Sequence, residues 1–151
     1  MQRLPQIREA NLSLISAFES HSAYASQFQQ RQGKIYFMWD FAMRTEAMFQ
    51  SILHNYPPPD TPATRRTIPN VPPSAMNDAQ RDELEKDAVG RCMLLWTMIT
   101  DTSPMSGIMF GEMPGQGVDL GDEVRRAAEA VNDVLSQQEQ ESETAQTSTV
   151  G

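Results

Sequence analysis

The sequence is short of the residues from which redox and metal sites are built. Its 151 residues include one cysteine, Cys92, and two histidines, His21 and His54. A single cysteine excludes an internal disulfide and any paired-cysteine metal site. Neither histidine has a second one four residues along, where one helix face would bring the two together. We therefore expect no metal and no cofactor, and we expect Cys92, in an apolar run, to be a buried and unreactive thiol.

Sequence patterns that carry catalysis are also missing. No GxSxG or SxxK arrangement surrounds a serine, and the glycine-rich run 115–121 has neither dinucleotide-loop nor phosphate-loop spacing. Asp40 and Glu46 are six residues apart on different faces of one predicted helix, so they do not form a carboxylate pair. Asp40 is instead placed to pair with Arg44, one helical turn away. We expect the protein not to be an enzyme, and no small-molecule ligand is indicated.

Long apolar runs are absent too. No stretch of the sequence approaches the roughly 20 apolar residues that cross a bilayer. The first residues contain no apolar segment of the kind that directs secretion. With one thiol and no visible leader, the sequence indicates a protein that works in the cytoplasm or within a virus particle, without a membrane partner.

Charge is distributed unevenly along the chain, whose formal net charge is −8. Residues 1–56 and residues 57–73 each carry a net charge of +1, whereas residues 74–151 contain fifteen acidic and five basic residues. An acidic surface repels nucleic-acid phosphates and anionic membranes. We therefore expect no direct nucleic-acid partner, and the acidic half suits either solubility or a basic protein partner.

Proline is concentrated in one short segment. Seven of the ten prolines lie within residues 57–73. Because proline fixes φ and has no N–H, this segment can be neither helix interior nor central strand. It predicts an extended arm or linker, which in polyproline form would reach up to roughly 50 Å. Its two arginines, Arg65 and Arg66, are the expected docking points.

Two helices are predicted before the proline-rich segment, joined as an antiparallel hairpin by the short turn at Gln32-Gly33. The first covers residues 5–31 and is expected to end at Gly33, which can adopt a positive φ. The second covers residues 35–55 and is the most apolar part of the chain. Heptad positions of the first helix predict one buried seam, formed by Ile7, Leu14, Phe18, His21, Ala25 and Phe28. A 3.6-residue period predicts the buried face of the second, formed by Ile35, Met38, Trp39, Ala42, Phe49, Ile52 and Leu53.

The second helix also has a second apolar face, formed by Phe37, Phe41 and Met48 together with Tyr36. A helix that is apolar on more than half of its circumference lies either inside a bundle or against a partner. The predicted helices are too polar to cover both faces. We therefore predict that this face contacts another subunit.

The acidic half predicts two more helices. Asn77 and Gln80 form a capping box ahead of a helix over residues 78–101. Its apolar stripe consists of Leu84, Ala88, Cys92, Leu95 and Ile99. A fourth helix is predicted over residues 120–139.

Two segments of the acidic half are not predicted to form regular secondary structure. Residues 102–121, rich in glycine and methionine, predict a loop. Residues 137–151 consist mainly of Gln, Glu, Ser and Thr, and predict a flexible tail.

The predicted fold class is all-α. It comprises a helical hairpin over residues 1–56, a proline-rich arm over 57–73, an acidic helical half over 74–136 and a flexible acidic tail over 137–151. This layout is similar to that of small virion components such as capsid-lining, adaptor or connector subunits, although no motif carries the likeness.

The leading functional hypothesis is a non-enzymatic structural or assembly protein. Its partners would be further copies of itself in a homo-oligomer, or other subunits of an assembly, contacted in part through the arm. The alternative is an acidic helical regulatory module for a basic partner, such as an inhibitor, an antitoxin or a chaperone. The expected interface residues are Phe37, Phe41, Met48, Arg65, Arg66, Ile68, Met105, Met109 and Phe110.

Overall fold

The computed structural model describes residues 4–59, 68–100 and 119–150, with side chains described as far as Gln137. Within these residues there is no strand, and the all-α prediction is confirmed. None of the described helices is both long enough and apolar enough to cross a membrane. A short 3-10 turn at Pro73–Ala75 accompanies the α-helices, which are α1 (Leu4–Ser20), α2 (Tyr24–Gln30), α3 (Lys34–His54), α4 (Asp78–Thr100) and α5 (Gly121–Val150).

The first predicted helix is in fact two helices, α1 and α2. Between them, the backbone N–H of Ala23 donates to His21 Nδ1 at 3.0 Å, and the backbone N–H of His21 donates to the Phe18 carbonyl at 3.1 Å. This turn resets the helical phase, so the predicted single seam is wrong beyond Phe18. Ala25 and Phe28 are exposed, and the buried residue of α2 is Gln27.

The junction between α2 and α3 depends on Gln27 and Gly33. Gln27 Oε1 accepts the backbone N–H groups of Ile35 at 2.8 Å and Tyr36 at 3.1 Å, which are among the donors a helix start leaves unpaired. Gly33, with φ of 110°, precedes α3, and a Cβ there would overlap the Gln27 amide. The predicted stop at Gly33 is wrong, because Arg31 takes the left-handed conformation that ends α2 (φ 54°).

The four long helices pack around one core. α3 packs against α1 and α4, and α5 packs against the same two helices, so α3 and α5 occupy opposite corners of the bundle. α1 and α3 are antiparallel, as predicted: Arg8 pairs with Glu46 at 2.9 Å, and Asn11 Nδ2 donates to the Ala42 carbonyl at 3.1 Å. The largest side chains in this core are Phe18, Phe49, Leu4, Ile7, Leu14 and Ile35.

Helix α4 follows its sequence pattern closely. The capping box is confirmed, since Asn77 Oδ1 accepts the Gln80 N–H at 2.8 Å and Gln80 Oε1 accepts the Asn77 N–H at 3.0 Å. All five residues of the predicted stripe are buried. Cys92 is 1% exposed, and burial raises its pKa to about 12. Because the thiolate is the reactive form, this cysteine is the unreactive thiol expected from the sequence.

The described ends of the proline-rich segment lie on the chain's own core. Pro58 and Ile68 are buried, and Asn70 Nδ2 donates to the Pro58 carbonyl at 2.8 Å. A further hydrogen bond, from the Ser74 N–H to Asn55 Oδ1 at 2.9 Å, holds the end of the segment beside the end of α3. The two ends therefore meet, and the span of roughly 50 Å that an extended arm would allow is not used. Residues 60–67 lie outside the described residues.

Helix α5 is longer than its composition predicts. Its backbone is helical to Val150, in place of the flexible tail expected over residues 137–151. Residues 122–150 contain no glycine or proline, and their Gln, Glu and Ala residues favour helix, so nothing local ends it. The predicted loop before α5 falls largely outside the described residues, which omit 101–118.

The start of α5 is held beside the α1–α2 turn by His21. Because His21 Nδ1 accepts the Ala23 N–H, the ring hydrogen lies on Nε2, which donates to the Asp119 carbonyl at 2.7 Å. Asp119 in turn pairs with Arg125 at 2.9 Å. The break in the first predicted helix is therefore also the point where the last helix attaches.

Candidate protein-binding surface

Five aromatic side chains from α2 and α3 meet on one surface, which we call the aromatic face. Their ring centroids lie 5.3 to 6.1 Å apart, with Trp39 in contact with three of the other rings. Four of the six pairs are edge-to-face, an arrangement that the charge distribution of an aromatic ring favours, and the other two are tilted. The members are Tyr24, Phe28, Tyr36, Phe37 and Trp39.

The α2–α3 junction places these rings together. Gln27 fixes the end of α2 against the start of α3, and Phe28 then lies 5.3 Å from Trp39 across the junction. Trp39 Nε1 donates to Glu19 Oε2 at 3.4 Å, which also ties the cluster to the end of α1. Burial raises the pKa of Tyr24, with a further contribution from Glu19, so its hydroxyl stays neutral at physiological pH.

The aromatic face is only partly covered by the rest of the chain. Phe28 is 46% exposed and Phe37 is 39% exposed. Tyrosine, tryptophan and phenylalanine are enriched where proteins bind one another, since each buries a large area. Grouped exposure of such rings is more typical of binding surfaces than a single exposed leucine is.

The ring of Phe41, one turn beyond Phe37, is covered by the guanidinium group of Arg91. The guanidinium carbon of Arg91 lies 4.3 Å from the Phe41 ring centroid, and Arg91 Nε donates to Thr45 Oγ1 at 3.2 Å. Burial lowers the pKa of Arg91, while Asp87 raises it. This stack joins α4 to α3. The i, i+4 pairing of Asp40 with Arg44 predicted from the sequence is present nearby, at 2.9 Å.

The side chain of Asp87, on α4, lowers the stability of the fold when it is ionised. Its Oδ2 atom is buried and has no hydrogen-bond partner among the described residues. Burial raises the pKa of Asp87, and the opposing effect of Arg91 is smaller. Because the folded-state pKa lies above the unfolded one, the ionised group destabilises the fold at neutral pH. This penalty disappears as the pH falls through the folded pKa.

Replacing Asp87 with asparagine is therefore expected to raise the urea midpoint at neutral pH, with a gain that shrinks as the pH is lowered through the aspartate range. Urea unfolding followed by far-ultraviolet circular dichroism over a pH series measures this. Asp82→Asn is the matched control on the same helix, because Asp82 is exposed and pairs with Lys86 at 2.8 Å. An Asp87→Asn midpoint at or below that of the parent chain at neutral pH contradicts the expectation.

The interface residues expected from the sequence lie in different environments in the structure. Phe37 belongs to the aromatic face, and Phe41 is half-buried beneath Arg91. Met48 (2% exposed) and Ile68 (6%) are instead buried in the chain's own core, so their assignment to an interface is corrected. Both belong to the buried core of the chain. The others, Arg65, Arg66, Met105, Met109 and Phe110, lie outside the described residues.

The sequence pattern did not assign Phe28, Trp39 or Tyr24 to a surface. The heptad pattern placed Phe28 inside the hairpin, because it treated residues 5–31 as one helix. The 3.6-residue period placed Trp39 on the buried face of the second predicted helix. The available signal was the run of small and polar residues from Ser20 to Ala23, which interrupts the apolar pattern where the turn occurs.

Little in the described part of the chain suits a metal or a small molecule. No group of His, Cys, Asp or Glu residues there could hold a metal ion. A groove between α4 and α5 has a volume of about 120 Å³. Ligand pockets usually measure roughly 300 to 1,000 Å³. The groove is lined by Met93, Trp96, Thr97, Asn132, Leu135 and Ser136.

No protein-family model, curated protein or solved structure matches this chain.

Proposed function

We propose that this protein is a non-enzymatic assembly subunit that associates with further copies of itself. The supporting observation is the aromatic face, a contiguous group of five rings of which Phe28 and Phe37 remain substantially in water. Fully burying one such ring is worth roughly 1.5 to 3 kcal/mol relative to leaving it exposed. A partner that covers the face recovers part of this free energy from every ring it shields.

Self-association, rather than exchange of an arm, is the basis of the proposed assembly. The likeness to virion components rested on an extended proline-rich arm. In the folded chain, however, Asn70 is hydrogen-bonded to Pro58, so the arm begins and ends at one place. The aromatic face provides a contact surface that needs no arm.

Size-exclusion chromatography with light scattering of the full chain tests the proposal. We expect a mass that is a multiple of 16.9 kDa and that falls on dilution through the micromolar range. A chain that stays monomeric throughout overturns the proposal.

The alternative, a regulatory module for a basic partner, has its own support in the exposed acidic residues of α5, among them Asp122, Glu123, Glu129 and Asp133. It predicts a monomer that captures a basic protein at low salt and releases it at high salt, because exposed charge pairs are screened by salt.

A further inference from the structure

We infer that the aromatic face is the surface on which a second copy of this chain docks, and that the two copies meet face to face about a two-fold axis. This inference rests on the proposed self-association and names the surface that performs it. In such a contact each copy contributes the same residues, centred on Phe28 and Phe37.

The charge distribution selects this face for a second copy. Residues 24–54, which carry the rings, contain three basic and two acidic residues, so this part of the chain is close to neutral. α5 contains seven acidic and two basic residues and lies at the corner of the bundle opposite α3. Two copies joined through their aromatic faces therefore keep their acidic sides apart, whereas contacts through α5 bring like charges together.

The chemistry of the face also suits a copy of itself. Edge-to-face contacts need only further rings with accessible edges and faces, which an identical surface supplies. Trp39 already has its indole N–H paired with Glu19, and the Tyr24 hydroxyl is neutral, so closing the face does not bury an isolated charge from these two rings. A head-to-tail contact would instead place the rings against a different surface of the neighbouring copy, which need not supply further rings.

Two single-cysteine variants test the geometry. The native Cys92 is 1% exposed with a pKa of about 12, so an added surface cysteine is the only thiol that reacts readily. Ala25→Cys places a thiol on α2, three residues before Phe28, and Ala130→Cys places one on α5; both alanines are exposed within helices.

A short bismaleimide cross-linker is expected to join Ala25→Cys chains into covalent dimers in high yield, and to leave Ala130→Cys chains single. Residues near a two-fold axis lie close to their own copies, whereas residues on opposite sides of the pair do not. Light scattering first establishes that both variants assemble like the parent chain.

A surface substitution tests the face independently of cross-linking. Phe28→Ser is expected to weaken self-association by at least roughly tenfold, the loss typical of an important interface aromatic. Tyr56→Ser is the matched control, since Tyr56 is 57% exposed and lies outside the aromatic face, and its mass profile should equal that of the parent chain.

The possible failures are distinguishable. An oligomeric parent chain that keeps its mass with Phe28→Ser and does not cross-link through Ala25→Cys overturns this face but not the proposed function. Dissociation by Phe28→Ser without cross-linking through Ala25→Cys overturns the two-fold geometry. A monomeric parent chain overturns the proposed function and the inference together. If the monomer's Ala25→Cys thiol also resists maleimide, its own chain covers the face.

Discussion

Replacement of Gly33 by alanine is expected to lower the free energy of unfolding by about 2 to 5 kcal/mol. Two effects combine at this position. The φ of 110° is strained for any residue with a Cβ. In addition, the new Cβ would overlap the side-chain amide of Gln27, which must then move from its place at the start of α3. The Ile35 and Tyr36 N–H groups would lose their acceptor.

Gly90→Ala is the matched control and is expected to have the opposite sign. Gly90 lies inside α4, is exposed, and has no atom within 4 Å of a Cβ placed there. Alanine should stabilise the helix by about 0.5 to 1 kcal/mol. Urea unfolding followed by circular dichroism, at one chain concentration because association shifts apparent stability, measures both variants. Equal effects of the two substitutions would refute the role assigned to Gly33.

The same variants connect stability to the aromatic face. Gln27 and Gly33 set how α2 meets α3, and this junction places Phe28 beside Trp39. Gly33→Ala is therefore expected to weaken the proposed self-association as well as the fold, whereas Gly90→Ala should leave the proposed association unchanged. Light scattering on the folded fraction of each variant distinguishes these results.

Phe49→Ala is expected to cost about 3 to 5 kcal/mol of stability, whereas Phe37→Ala should cost less than about 1 kcal/mol. Both residues lie on α3, but Phe49 is 0% exposed within the core and Phe37 is 39% exposed on the aromatic face. Truncating the first leaves a cavity that its neighbours fill only in part. Truncating the second removes a ring that already touches water.

The two phenylalanines should therefore separate folding from assembly. Phe37→Ala is expected to lower the mass measured by light scattering, and to keep the parent unfolding midpoint when both chains are unfolded at a concentration low enough for them to be monomeric. Phe49→Ala should lower the midpoint strongly. Similar midpoint losses for both variants would show that α3 has no free face, and would contradict the surface described above.

Local patterns were reliable where their causes are local. The Asn77–Gln80 capping box and the buried stripe of α4 depend on residues three or four apart, and both are present. The Asp40–Arg44 pair has the same origin. The antiparallel direction of α1 and α3 was predicted correctly, but the short turn at Gln32-Gly33 joins α2 to α3, and α1 and α3 are connected through α2.

Patterns that had to be extended across a turn were less reliable. The heptad over residues 5–31 continued past Ser20 in the sequence, but the His21 turn changed its phase and moved Phe28 to the surface. The end of α5 was likewise set by helix propensity rather than by the polarity that suggested a flexible tail.

The sequence by itself determined the all-helical class, the position of the proline-rich segment and the separation of a balanced half from an acidic one. These follow from composition and from periods of a few residues. Tertiary structure alone decided which apolar face stays open. Met48 and Phe37 share the predicted second face of α3, yet Met48 is 2% exposed in the core and Phe37 is 39% exposed. Exposure depends on what packs above a residue, and that neighbour is distant in the sequence.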